Sequence, residues 1–144
     1  MDQQTTFELE KVLQRIGTGG ELEAYLEAPG TLSPYRTFAE FFLSLPETAA
    51  ADRAELIRKS GLERTYAYQI LNGTRPKPGR DKILRLCLAA GLSPAKTRKA
   101  LEAGGEAPLY SRNRRDAILT FALQKHCSVE DTVLLLDSFG ETPL

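Results

Sequence analysis

The chain is poor in the side chains that carry most catalysis. Its 144 residues include one histidine, His126, and two cysteines, Cys87 and Cys127. Neither cysteine belongs to a CxxC pair, so a thiolate metal site or dithiol redox centre is not expected. Both sit in apolar helical surroundings and read as small buried hydrophobes. His126 has no cluster of ligands around it and is expected at a helix end, where positive charge is tolerated. There is no nucleophile–histidine–acid set and no phosphate loop. The "GTGG" at residues 17–20 has no strand before it and no GK[ST] after it, and reads as a helix stop. Glu130 and Asp131 read as helix-start charges rather than an acid–base pair. An enzyme is not expected, nor a metal or cofactor.

Long apolar runs are missing too. None approaches the length of a membrane span. The start "MDQQTTFELE" lacks the basic and apolar regions of a signal peptide. A cytoplasmic protein without membrane contact is expected.

Charge is present in full, but unevenly. The formal net charge is zero. Residues 1–30 carry net −4, residues 52–115 net +9, and residues 116–144 net −4. A basic middle between acidic ends is the footprint expected of a nucleic-acid binder, or of an unevenly solvated surface.

Almost every segment has helical periodicity. Phe7, Leu9, Val12, Leu13 and Ile16 predict a first helix, and Leu22, Tyr25 and Leu26 a second. "APGTLSP" (28–34) predicts a loop. Phe38, Phe41, Phe42 and Leu45 share a face, with Thr37 as cap. Helices over 52–60 and 64–72 follow, broken by Gly61 and stopped by Gly73. Leu56, Ile57, Ser60, Leu62, Ala67 and Ile70 are expected inside. Arg64, Thr65, Tyr68, Gln69 and Asn72 are expected outside.

Residues 80–109 align without gaps on 115–144, with twelve of thirty positions identical. Each copy reads as a helical hairpin, with Ser93 and Ser128 capping its second helix. Arg80 and Arg115 match each other and are expected to be structural. The second copy lacks five cations of the first: Lys82, Arg85, Lys96, Arg98 and Lys99. The hairpin therefore folds without them, and they are expected to meet something outside it, such as a polyanion. The second copy's "VEDTVLLLDSF" is apolar nearly all round, as in a buried or interfacial helix.

"AELIRKSGLERTYAYQILNGTRPKP" resembles the helix-turn-helix of lambda-repressor-like (XRE-type) bacterial and phage regulators. Leu56, Gly61, Leu62, Ile70, Gly73, Arg75 and Pro78 carry the resemblance, which covers about residues 37–103. Ile57, Ala67 and Leu71 depart from the family pattern, and "TRPKPG" is about one residue longer than usual. The resemblance implies an all-α fold: a five-helix DNA-binding domain over 37–110. A helical extension (1–36) precedes it, and a C-terminal repeated hairpin (111–144) follows.

It also implies roles. Thr65, Tyr68 and Gln69 match positions that meet base edges, and glutamine can pair bidentately with adenine. Arg64, Asn72, Thr74, Arg75 and Lys77 match phosphate-contact positions. One such helix reads few base pairs, so a homodimer on a palindromic double-stranded DNA site is expected. Val133, Leu134 and Leu135 are the candidate dimer contacts. The alternative is a helix-turn-helix used for protein contact, as in an antitoxin or signalling adaptor with a regulatory protein partner. A plain structural corner is the third reading. Which of Tyr66 and Tyr68 faces a groove is open at this stage.

Overall fold

A computed structural model describes residues 6–27 and 37–144. The loop expected over 28–34 lies outside them. The described residues are all helix, turn and coil, with no strand. None of their helices is long and apolar enough to cross a membrane. The chain divides into two compact units, residues 1–34 and 35–144.

The first unit holds α1 (Thr6–Arg15) and α2 (Gly19–Glu27). "GTGG" separates them, and the Thr18 hydroxyl accepts the Glu21 N–H at 3.1 Å, capping α2. Leu13, Leu22 and Leu26 are exposed.

The second unit begins with α3 (Phe38–Ser44). Thr37 caps it by accepting the Glu40 N–H at 3.2 Å. Phe38, Phe41, Phe42 and Leu45 are buried as their spacing predicts, and the Phe38 and Phe42 rings stack at 5.0 Å. Pro46 opens a short helix, α4 (Pro46–Ala49), where a missing N–H costs nothing. Thr48 ties it back by donating to the carbonyls of Phe42 and Leu45.

Next come α5 (Arg53–Ser60) and α6 (Arg64–Leu71), joined at Gly61. Gly61 has φ 71°, a left-handed conformation cheap only for glycine. A Cβ there would also come within 2.7 Å of Arg85 Nη1. Leu56, Ile57, Ser60, Ala67 and Ile70 are buried, and Leu62 is half-buried against the core.

The two repeats form α7 (Arg80–Ala89) with α8 (Pro94–Ala103), and α9 (Arg114–Gln124) with α10 (Val129–Ser138). Their caps match bond for bond. Ser93 accepts from Lys96 N–H and Ser128 from Asp131 N–H. At the first turn, Leu92 N–H donates to Cys87 carbonyl and Cys127 N–H to Ala122 carbonyl. His126, φ 53°, takes the left-handed position that Gly91, φ 70°, holds in the first copy.

The hairpins are joined by a reciprocal exchange. Arg80 grips Asp116 with two bonds of 2.8 Å, and Arg115 grips Asp81 with bonds of 3.0 and 3.1 Å. Each arginine also donates to the end of its own repeat. Arg80 reaches the Ala107 and Pro108 carbonyls, and Arg115 the matching Thr142 and Pro143 carbonyls. Residue i of one copy meets residue j of the other, and the reverse, as in a two-fold dimer. Here the two halves lie in one chain. Both arginines are structural, as the repeat suggested.

The symmetry stops at the outer faces. α5 packs along α7 and α3 along α8; α9 and α10 have no comparable neighbour in this unit. Leu86 is fully buried, while its counterpart Phe121 is 48% exposed. Gly104 is buried against Ile83 and Phe38, while its counterpart Phe139 is 50% exposed.

Candidate nucleic-acid interface

Helix α6 is entered through Glu63, whose carboxylate accepts the Thr65 N–H at 3.0 Å and the Tyr66 N–H at 2.7 Å. Those bonds, Tyr66's first, hold the Glu63 carboxyl below the usual carboxylate range. Glutamate is not among the strongly preferred caps, so the sequence carried no plain signal for it.

The inner side of α6 is Ala67, Ile70 and Leu71, all buried. Arg64, Thr65 and Asn72 are exposed; Tyr66, Tyr68 and Gln69 are half-buried. Four-residue spacing puts Thr65 and Gln69 on one outward line. At 100° per residue, Tyr68 falls on one side of it and Tyr66 on the other.

Each tyrosine carries cations. The Arg64 guanidinium lies 5.7 Å from the Tyr68 ring centre. Arg75 lies 4.5 Å and the Lys82 ammonium 5.4 Å from the Tyr66 ring centre. Cations over aromatic faces are attracted by the ring quadrupole. Polar Thr65 and Gln69 are thus flanked on both sides by positive charge. Both tyrosines also pack against the core. Tyr68 walls a hollow of about 310 Å³ with Ala54, Ile57, Leu62 and Arg64. So each ring packs against the core and carries a cation, rather than one facing outward and one inward.

The segment after α6 folds back on it. Asn72 Oδ1 accepts the Thr74 N–H at 2.9 Å, and Gly73 turns with φ 87°. Arg75 N–H then donates to the Gln69 carbonyl at 3.0 Å, and Arg75 Nε to Gln69 Oε1 at 2.7 Å. These bonds close a turn at the head of "TRPKPG". Thr74 and Lys77 are exposed beside it. Lys82 is the neighbour that the resemblance did not point to. It lies in the first turn of the next helix, and only the fold brings it to Tyr66.

The five cations missing from the second repeat need a corrected reading. Arg85 donates to the Ser60 carbonyl at 3.1 Å and to the Leu144 oxygen at 2.6 Å. Lys96 pairs with Glu47 at 2.8 Å, and its hydrogen bond holds that carboxyl below its ordinary range. Arg98 pairs with Glu102 at 3.4 Å. Lys82 lies over Tyr66, and Lys99 is exposed. The first hairpin has α3 to α6 beside it, so what lies outside the hairpin is mostly the same protein. Arg85 and Lys96 bind that surrounding fold. Lys82, half-buried, and Lys99, exposed, form no ion pair among the described residues.

Val133 and Leu134 border a cleft of about 350 Å³ with Arg58, Lys59, Gly61 and Arg85. Leu134 is 66% exposed. Leu135 is half-buried and falls beyond Leu134 around the helix, away from Val133. Cys87 is fully buried, and burial pushes its thiol up to about 12, so it is inert.

No protein-family model, curated protein or solved structure matches this chain.

Proposed function

We propose that the chain is a cytoplasmic, sequence-selective binder of double-stranded DNA, a non-enzymatic transcriptional regulator. In this reading residues 37–110, six helices with the one-turn α4 rather than the expected five, form a lambda-repressor-like domain, and α5–Gly61–α6 is its helix-turn-helix. The observation that carries it is the α6 surface. A polar line, Thr65 and Gln69, runs between two tyrosine-braced sets of cations: Arg64 on one side, Arg75 and Lys82 on the other. A helix reading a major groove needs that order, with base-edge groups in the middle and phosphate contacts on both flanks. Asn72, Thr74 and Lys77 extend the phosphate side. Tyr68, half-buried beside Arg64, contributes its exposed edge to the base-facing line.

Dimerisation through α10 supplies the second half-site. Leu134, with Val133 and Leu135 on either side, is its centre. A regulatory protein partner would compete for the same apolar helix.

The test is fluorescence anisotropy on mixed-sequence duplexes at low salt. Binding that weakens steeply with salt, and about tenfold with Arg75→Ala, is expected. No binding to any duplex overturns the proposal and favours the adaptor reading. Light scattering checks the dimer: Val133→Asp with Leu134→Asp is expected to leave monomers.

A further inference from the structure

The Gln69–Arg75 contact says which base α6 should read. It rests on the DNA-binding reading above and makes that reading more specific. A glutamine that pairs bidentately with adenine needs both ends of its amide. Its oxygen accepts from adenine N6, and its nitrogen donates to N7. Here one of that oxygen's two lone pairs is taken, and a guanidinium stands against it. Arg75 Nε donates to Gln69 Oε1 at 2.7 Å. The amide orientation follows from chemistry, because a guanidinium donates only and can face only an oxygen.

Arg75 is held there by three contacts. Its side chain bonds Gln69, its backbone N–H bonds the Gln69 carbonyl at 3.0 Å, and its guanidinium rests 4.5 Å from the Tyr66 ring centre. Beyond one remaining lone pair on Oε1, the pair offers only donors: the Gln69 NH₂ and the Arg75 Nη groups. Asn72 is similar, with one lone pair of its oxygen accepting the Thr74 N–H.

We infer that Gln69 and Arg75 act as one donor-rich, cationic unit that selects guanine, with Lys77 and Lys82 left as the phosphate contacts on that flank. Guanine shows two acceptors in the major groove, N7 and O6. A donor-rich unit satisfies both. Adenine shows one acceptor and one donor, so its N6 amino group would have to approach an oxygen that already faces a guanidinium. Cytosine offers a donor at N4, and thymine one acceptor beside a methyl group. Tyr66 is a positioning residue in this scheme, since it acts through Arg75.

The inference makes an unusual demand on Arg75→Met. Removing the guanidinium leaves both lone pairs of Gln69 Oε1 free and takes the positive charge away from them. The same base position should then turn from guanine to adenine. Arg75 is exposed, so the substitution leaves the core intact.

The experiment is selection from a random duplex library with wild type, Arg75→Met and Gln69→Ala, followed by anisotropy on the selected sites. Wild type is expected to fix guanine at the position where Arg75→Met changes the preference, and Arg75→Met to prefer adenine there about tenfold. Replacing that guanine by 7-deazaguanine should weaken wild-type binding about tenfold. Selection of adenine by wild type at that position, or an unchanged guanine preference in Arg75→Met, overturns the inference and leaves DNA binding standing. Absence of any duplex binding overturns both.

Discussion

The two hairpins, α7–α8 and α9–α10, share twelve of thirty residues, the same caps and a reciprocal arginine–aspartate exchange. They differ in what surrounds them. The first is wrapped by α3 and α5; the second is not. The wrapped copy has small residues where neighbours press, as at Gly104. It has arginine and lysine where neighbours offer oxygens, as at Arg85 and Lys96. The open copy has Phe139, Thr120 and Asp131 at those positions. Divergence between repeats here records local surroundings more than ligand binding.

The strongest break of the comparison is at the exchange itself. Its two halves are not equal, because the Asp116 side chain is 9% exposed and the Asp81 side chain 43%. Arg80→Ala strands Asp116 and should cost about 3 kcal/mol in urea denaturation. Asp81→Ala should cost about 1 kcal/mol or less. The acid limb gives a second reading. Burial alone would raise the Asp116 carboxyl, but hydrogen bonds from Arg80 and the Tyr110 N–H, with the charges of Arg80 and Arg115, hold it below its ordinary value. A lowered folded-state value gives stability that is complete above the unfolded value, about 3.9, and lost as pH falls through the folded one. The stability gap between wild type and Asp116→Asn should therefore begin to narrow below about pH 4 and close only below the folded-state value.

Gly104 and Phe139 come next. A Cβ at Gly104 would collide with Ile83 Cδ1 and touch Phe38. Gly104→Ala should cost about 2 kcal/mol by overpacking. Phe139→Ala, on the open copy, should stay within about 0.5 kcal/mol. Equal effects at the two positions would contradict the wrapped-versus-open distinction.

The last pair of effects lies at the turn inside each hairpin. His126 holds a left-handed backbone that suits glycine. His126→Gly should stabilise by about 0.5 kcal/mol, and Gly91→Ala should destabilise by about 1 kcal/mol. Thermal unfolding of both variants checks the pair.

Much of this was legible in residue order. The aromatic face of α3, the Gly61 corner, the serine caps and the repeat all follow from local spacing. The exchange of Arg80 with Asp116 did not, although both residues were visible in the alignment. A repeat shows that two positions match, not that they meet across an axis. Glu63 was missed because a glutamate cap has no strong sequence signal. The Tyr66–Arg75–Lys82 cluster was missed because Lys82 belongs to another helix. The charge argument failed at Arg85 and Lys96 because it took the hairpin, not the whole unit, as the thing that folds.

The central claim is that the outward line of α6, with its flanking cations, faces phosphates and bases of duplex DNA. The most direct test is the slope of log affinity against log salt for wild type and for Arg64→Ala with Lys77→Ala. Each cation that meets a phosphate contributes about 0.9 to that slope, so the double variant should be shallower by nearly 2. A slope unchanged by the double substitution, or wild-type binding that does not depend on salt, would contradict the account.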